Sequence, residues 1–210
     1  VTAYQKNQHR PNPRTSVPNR RTAGIAAGIE GFFAFVWFGW GQAAAPPWLA
    51  VPLGVGSAAG ALVALGGVVV AVRAHGQPTP LADQSVRRRY LIIASVEFGL
   101  LGVGAAVLGV SGDVEWIPVW VGLVVGAHFV PLARCLGMPS LVPLGLVILV
   151  ISVLAFIVGR WSDVAPSTVT GQGIGLALFA GGAITLFAGR RLSARLPCPG
   201  PSSAPRSPVS

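Results

Sequence analysis

Six runs of roughly twenty apolar residues follow one another along this chain, with only short breaks between them. That repetition leaves few folds open. In hydrocarbon every backbone N–H and C=O must be satisfied within the protein, so a run of this length crosses as a helix. The runs fall at 23–41, 48–72, 90–110, 116–134, 140–159 and 171–189. The breaks are rich in turn formers, such as Ala45-Pro46-Pro47, Ser111-Gly112-Asp113 and Ala165-Pro166-Ser167. The second run is long enough to tilt or bend, with Pro52 near its start. The expected fold is all-α, a polytopic membrane bundle of six transmembrane helices over residues 23–189. Residues 1–22 form a basic tail and 190–210 a Pro/Ser/Arg-rich tail, both without apolar periodicity and both expected to be disordered.

Charge supports a membrane rather than nucleic acid. Charged residues make up 10% of the chain, where a soluble domain has roughly a quarter. The net charge of +9 lies almost wholly in the segments flanking the apolar runs, and no aromatic-interleaved RNA-binding signature accompanies it. Nucleic acid is therefore not an expected partner; the lipid bilayer is. With six spans, fourteen of the fifteen basic residues share one side, from Lys6, Arg20 and Arg21 through Arg73, Arg87, Arg88, Arg89 and Arg134 to Arg190 and Arg191. Only Arg160 falls opposite. The positive-inside rule then places both termini in the cytoplasm. Trp37, Trp40, Trp48, Trp116, Trp120 and Trp161 cluster toward the other side, as one half of an interfacial aromatic belt. The Arg-for-Lys bias, with one lysine in the chain, fits a GC-rich bacterial genome and hence a bacterial cytoplasmic membrane. The first run is not read as a cleaved signal peptide. Its apolar stretch is too long, it holds Glu30, and Pro46 follows the small residues at 43–45. Cys135 and Cys198 show no paired spacing and fall on the reducing side, so no disulfide is expected.

The first two hairpins read as parallel copies. Arg21 precedes Glu30 by nine residues and Arg88 precedes Glu97 by nine. A tryptophan follows each carboxylate as the next span opens, at Trp48 and Trp116. Transporter folds often arise from such internal repeats. The third hairpin has a matching Gly181-Gly182 pair but no carboxylate.

Away from the ends of the runs, the ionisable residues are Glu30, Glu97 and His128. Such residues are costly in lipid, so they usually face a bundle interior, pair, or line a pathway. At ~1.5 Å per residue, Glu30 lies ~13 Å beyond Arg21, Glu97 ~12 Å beyond Arg89 and His128 ~9 Å above Arg134. The three are expected to share one polar layer and satisfy one another. Ala23, Ala26, Ala27 and Ala34 share the Glu30 face, which suits close approach of a neighbouring helix. Small-xxx-small pairs at Gly24/Gly28, Gly56/Gly60, Gly122/Gly126 and Gly171/Gly175 offer packing faces and a route to a homo-oligomer. Pro131 is expected to kink the fourth span beside His128. Two carboxylates and an imidazole also suit a transition metal, but no ligand spacing supports one, and no metal or cofactor is expected. Ser57 with His128 suggests an intramembrane serine protease. Ala58 stands where a rhomboid-type GxSG would have glycine, and no oxyanion donor is evident, so no enzyme is expected.

The segment Ala127-His128-Phe129-Val130-Pro131-Leu132-Ala133-Arg134 resembles the HFxPLAR stretch of small multi-pass bacterial membrane proteins classed as a domain of unknown function. The resemblance implies no activity or ligand. It implies that His128 and Arg134 belong to one element, with Arg134 a candidate partner of the polar layer. The functional expectation is a small proton- or cation-linked carrier acting on an unidentified small solute. The alternative is a non-catalytic scaffold or subunit whose polar layer is structural.

Overall fold

The computed structural model describes residues 19–194 and contains six long helices. They are α1 (Arg20–Gln42), α2 (Pro47–Arg73), α3 (Gln84–Ser111), α4 (Ile117–Leu136), α5 (Leu141–Trp161) and α6 (Pro166–Ala194). All six are long and apolar enough to cross a membrane, and no strand occurs among the described residues. The chain is a multi-pass, all-α membrane bundle. Several helices outrun their apolar runs, because caps rather than polarity stop them. The Asn19 side chain accepts from Thr22 N at 2.9 Å and starts α1 before residue 23. Asp83 does the same for α3, six residues before residue 90. Residues 20–22 and 190–194, assigned to the tails by sequence, are therefore helical. The remainder of both tails, with Cys198, lies outside the described residues.

The packing is uneven. α1 is the hub, lying against α2 on one side and α6 on the other. α5 joins α4 to α6, whereas α3 packs in earnest only on α4 and on the two 3-10 turns beside it, Pro80–Ala82 and Val114–Trp116. No residue of α3 is buried. The core gathers Ala34, Trp37, Phe38, Leu49, Leu53, Ile148, Ile174 and Leu178 from α1, α2, α5 and α6.

Glycine sets the α1–α2 distance. A Cβ on Gly60 would sit 2.7 Å from Phe35 N, and one on Gly67 would overlap the backbone of Gly28. The two helices thus touch backbone to backbone, as small residues permit in a membrane. The other pairs singled out by sequence are also occupied within the chain. Gly126 lies against Gly145, Gly171 against Gly41, and Gly175 against the Phe38 ring. These faces are therefore not free for self-association. On α3, Ser95, Gly99, Gly102, Ala106 and Gly109 are left uncovered.

The two ends of the bundle differ in chemistry. At the arginine end, Arg21 Nη1 donates to the carbonyls of His75 (2.8 Å) and Gln77 (3.0 Å), tying α1 to the α2–α3 loop. At the opposite end, Trp48 and Trp161 are exposed, as an interfacial belt requires. Trp37 departs from that expectation: it is buried in the core and stacked on Trp40. It lies on the glycine- and alanine-rich face of α1, which packs on α2 and α6.

Candidate functional site

The expected polar layer is divided in two. His128 Nδ1 lies 3.2 Å from Glu97 Oε2, joining α4 to α3. Glu30 is elsewhere, on the face of α1 that meets α6. A Cβ on Gly181 would stand 3.2 Å from Glu30 Oε2, and one on Gly182 would stand 3.3 Å from Glu30 Cβ. Equal depth along a helix does not specify which way a side chain points. The glycine seam turns α1 so that Glu30 meets Gly181 and Gly182 of α6 instead of its expected partners.

Around Glu97 and His128 the site is a groove between α3 and α4. It has a volume of about 490 Å³ and its other walls are apolar, with Ile92, Val96, Leu100, Trp120 and Ala127 among them. Glu97 and His128 are the titratable groups in its lining. Both are mostly covered, with side-chain exposures of 14% and 11%. α4 continues through Pro131 to Leu136. Proline has no N–H, so the Ala127 carbonyl lacks its usual helical donor one turn away, beside the pair.

Two further polar ties hold α3 to α4. Trp120 Nε1 donates to the Leu100 carbonyl at 3.0 Å. Gly104 makes room for that indole, since any Cβ there would strike the ring. Toward the arginine end, Cys135 Sγ lies 3.6 Å from the Val86 carbonyl as a weak donor. Trp120, His128 and Cys135 are spaced by eight and seven residues, so one stripe of α4 carries all three contacts. Sequence reading placed Trp120 in the aromatic belt and missed this role. The glycine one level across, Gly104, was its only trace.

The Glu30 chamber is enclosed rather than grooved. Glu30 is 7% exposed, and its Oε2 has no hydrogen-bond partner among the described residues. Thr185, one turn beyond Gly181, presents the hydroxyl that faces the carboxyl. Thr185 was missed in the sequence; a hydroxyl following Gly-Gly by one turn in an apolar run was the available signal. Ala23, Ala27 and Ala34 are buried on this face, as their spacing suggested.

Arg134 joins neither site. It is exposed and forms no ion pair among the described residues. Six residues carry a helix about 240° round from His128, onto another face. Ser57 is likewise remote from His128: its hydroxyl lies 3.4 Å from the Phe35 carbonyl, and Gln42 Nε2 donates to it at 3.3 Å. Among the described residues no three His, Cys, Asp or Glu side chains converge, because Glu30, on α1, faces α6 and not the pair.

At the start of α3, outside the apolar span, Asp83 accepts from Ser85 N and Ser85 Oγ at 2.7 Å and from Val86 N at 3.4 Å. Those hydrogen bonds, with Arg89 nearby, hold its carboxyl below the ordinary value of 3.8. Comparison with family models, curated proteins and solved structures finds no match to this chain.

Proposed function

We propose that the protein is a small proton- or cation-linked membrane carrier, with Glu97 and His128 as its exchange pair and α3 as its moving part. One observation carries this reading. A carboxyl and an imidazole lie 3.2 Å apart in an otherwise apolar groove, on the one helix with no buried residue. A proton passed between the two groups changes the charge on each and so the strength of the tie that holds α3. Ionisable residues within membrane spans are costly, and proton relays are among the roles that retain them. Glu30, walled in by α6, serves as a second, enclosed carboxyl site whose exchange requires motion of that helix.

The same reading places both termini in the cytoplasm of a bacterial cytoplasmic membrane. The basic residues at the ends of α1, α2 and α4 and at the start of α3 support that orientation. The resemblance of residues 128–134 to the uncharacterised multi-pass family is compatible with it and adds no activity.

The test is whether Glu97 changes protonation in place. Infrared difference spectra of the protein in lipid, recorded over roughly pH 4–10, should show a titrating carboxyl band. That band should vanish in Glu97→Gln, move in His128→Asn and survive in Glu30→Gln. A Glu97 signal that stays constant across the range makes the pair a fixed structural bond, and the carrier reading would give way to the scaffold.

A further inference from the structure

The groove does not end inside the protein. Its wall at Ile92 also borders a second depression of about 700 Å³ at the arginine end, lined by Asp83, Gln84, Ser85, Arg88 and Arg89. The groove, apolar but for Glu97 and His128, thus adjoins at Ile92 a cationic depression that stands at its mouth. Arg88 and Arg89 form no salt bridge among the described residues. Asp83, the one acid at the mouth, is engaged in capping α3 through Ser85 and Val86. It offsets part of the Arg89 charge and leaves a net positive mouth.

The dimensions match a particular occupant. From Ile92 to Leu100 on α3 the groove runs ~12 Å, and from Pro131 to Trp120 on α4 ~16 Å, at ~1.5 Å per residue. One leaflet contributes about half of a ~30 Å hydrocarbon core. The groove therefore has the depth of a single leaflet, faces the bilayer sideways, and begins where headgroups lie. We propose that it seats a phospholipid with an anionic headgroup, its phosphate on Arg88 and Arg89 and one acyl chain along Val96 and Ala127 toward Trp120. The charge of the mouth selects the headgroup, and the apolar walls accept the chain. Such a chain covers Glu97 and His128 from the lipid side whether or not the pair exchanges protons, so this inference stands apart from the carrier reading.

The experiment is native mass spectrometry of the full chain taken from bilayers of equal phosphatidylglycerol and phosphatidylcholine. The wild type should retain one phosphatidylglycerol in preference to phosphatidylcholine by roughly tenfold. R88Q/R89Q should abolish that preference. R20Q/R73Q discharges two exposed arginines at the same end but away from the groove, and should keep it. Ala127→Trp, which fills the groove and leaves both arginines in place, should lower retention of either lipid. Equal losses in the two double-arginine variants would mean a diffuse basic surface and overturn the proposal. So would full retention in Ala127→Trp, because the chain would then lie elsewhere.

Discussion

The first and second hairpins carry a glutamate at matching positions, yet they are built on opposite principles. α1 and α2 are joined by glycines that bring backbone to backbone, and Glu30 turns away from that seam toward α6. α3 and α4 are joined by three separated polar contacts, and Glu97 turns inward to its own hairpin partner. Close glycine packing distributes attraction over many small contacts and admits little change of geometry. A helix held by an indole, a carboxyl–imidazole contact and a thiol has few bonds to rearrange when it moves. The repeat legible in the sequence is thus not matched by equivalent contacts. On the proposed reading, the residue types that join the helices separate a rigid half of the bundle from a movable one.

The largest expected effect breaks the rigid half. Gly67→Ala places a methyl group into the Gly28 backbone and should destabilise the bundle by about 3 kcal/mol, at the upper end of overpacking costs. Gly102→Ala on α3 meets nothing within 4 Å. It should be neutral or stabilising by up to about 1 kcal/mol, from helix propensity alone. Reversible unfolding in mixed micelles measures both. Similar costs at the two positions would erase the distinction between the hairpins.

A smaller effect sharpens the movable half. Glu97→Gln and His128→Ala, singly and together, should show a coupling of about 1 kcal/mol, the scale found for hydrogen-bonded pairs between membrane helices. A coupling near zero would mean that the 3.2 Å contact contributes no net attraction. The smallest effect lies at the start of α3. Asp83 is held below its ordinary carboxyl value in the folded protein, so its contribution is present above about pH 4 and lost as pH falls through the depressed value. Asp83→Asn should remove that acid dependence from the fraying of the first turn of α3, read by amide exchange, and leave α1 unchanged.

Much of this architecture was legible from residue order. Apolar run length placed all six helices, and turn residues placed their breaks, because hydrocarbon admits almost no other solution. The depth of Glu97 and His128 was legible as well, since rise per residue is constant. What sequence did not show was azimuth. Glu30 sits at a suitable depth, but the backbone contacts at Gly28, Gly31, Gly60 and Gly67 turn it onto Gly181 and Thr185. Trp37 and Trp120 look like belt residues from position alone. One is instead a core residue stacked on Trp40, and the other binds a carbonyl beside Gly104, which leaves room for its indole.

The claim at the centre of this account is that α3 is a movable helix tied to a rigid bundle through Glu97 and His128. Amide hydrogen–deuterium exchange of the protein in nanodiscs, resolved by helix, tests it most directly. α3 should be less protected than α1 and α2 in the wild type. It should lose further protection in Glu97→Gln and His128→Ala while the first hairpin stays unchanged. Equal protection of α3 and α1, or loss of protection spread evenly over all six helices when the pair is removed, would contradict it.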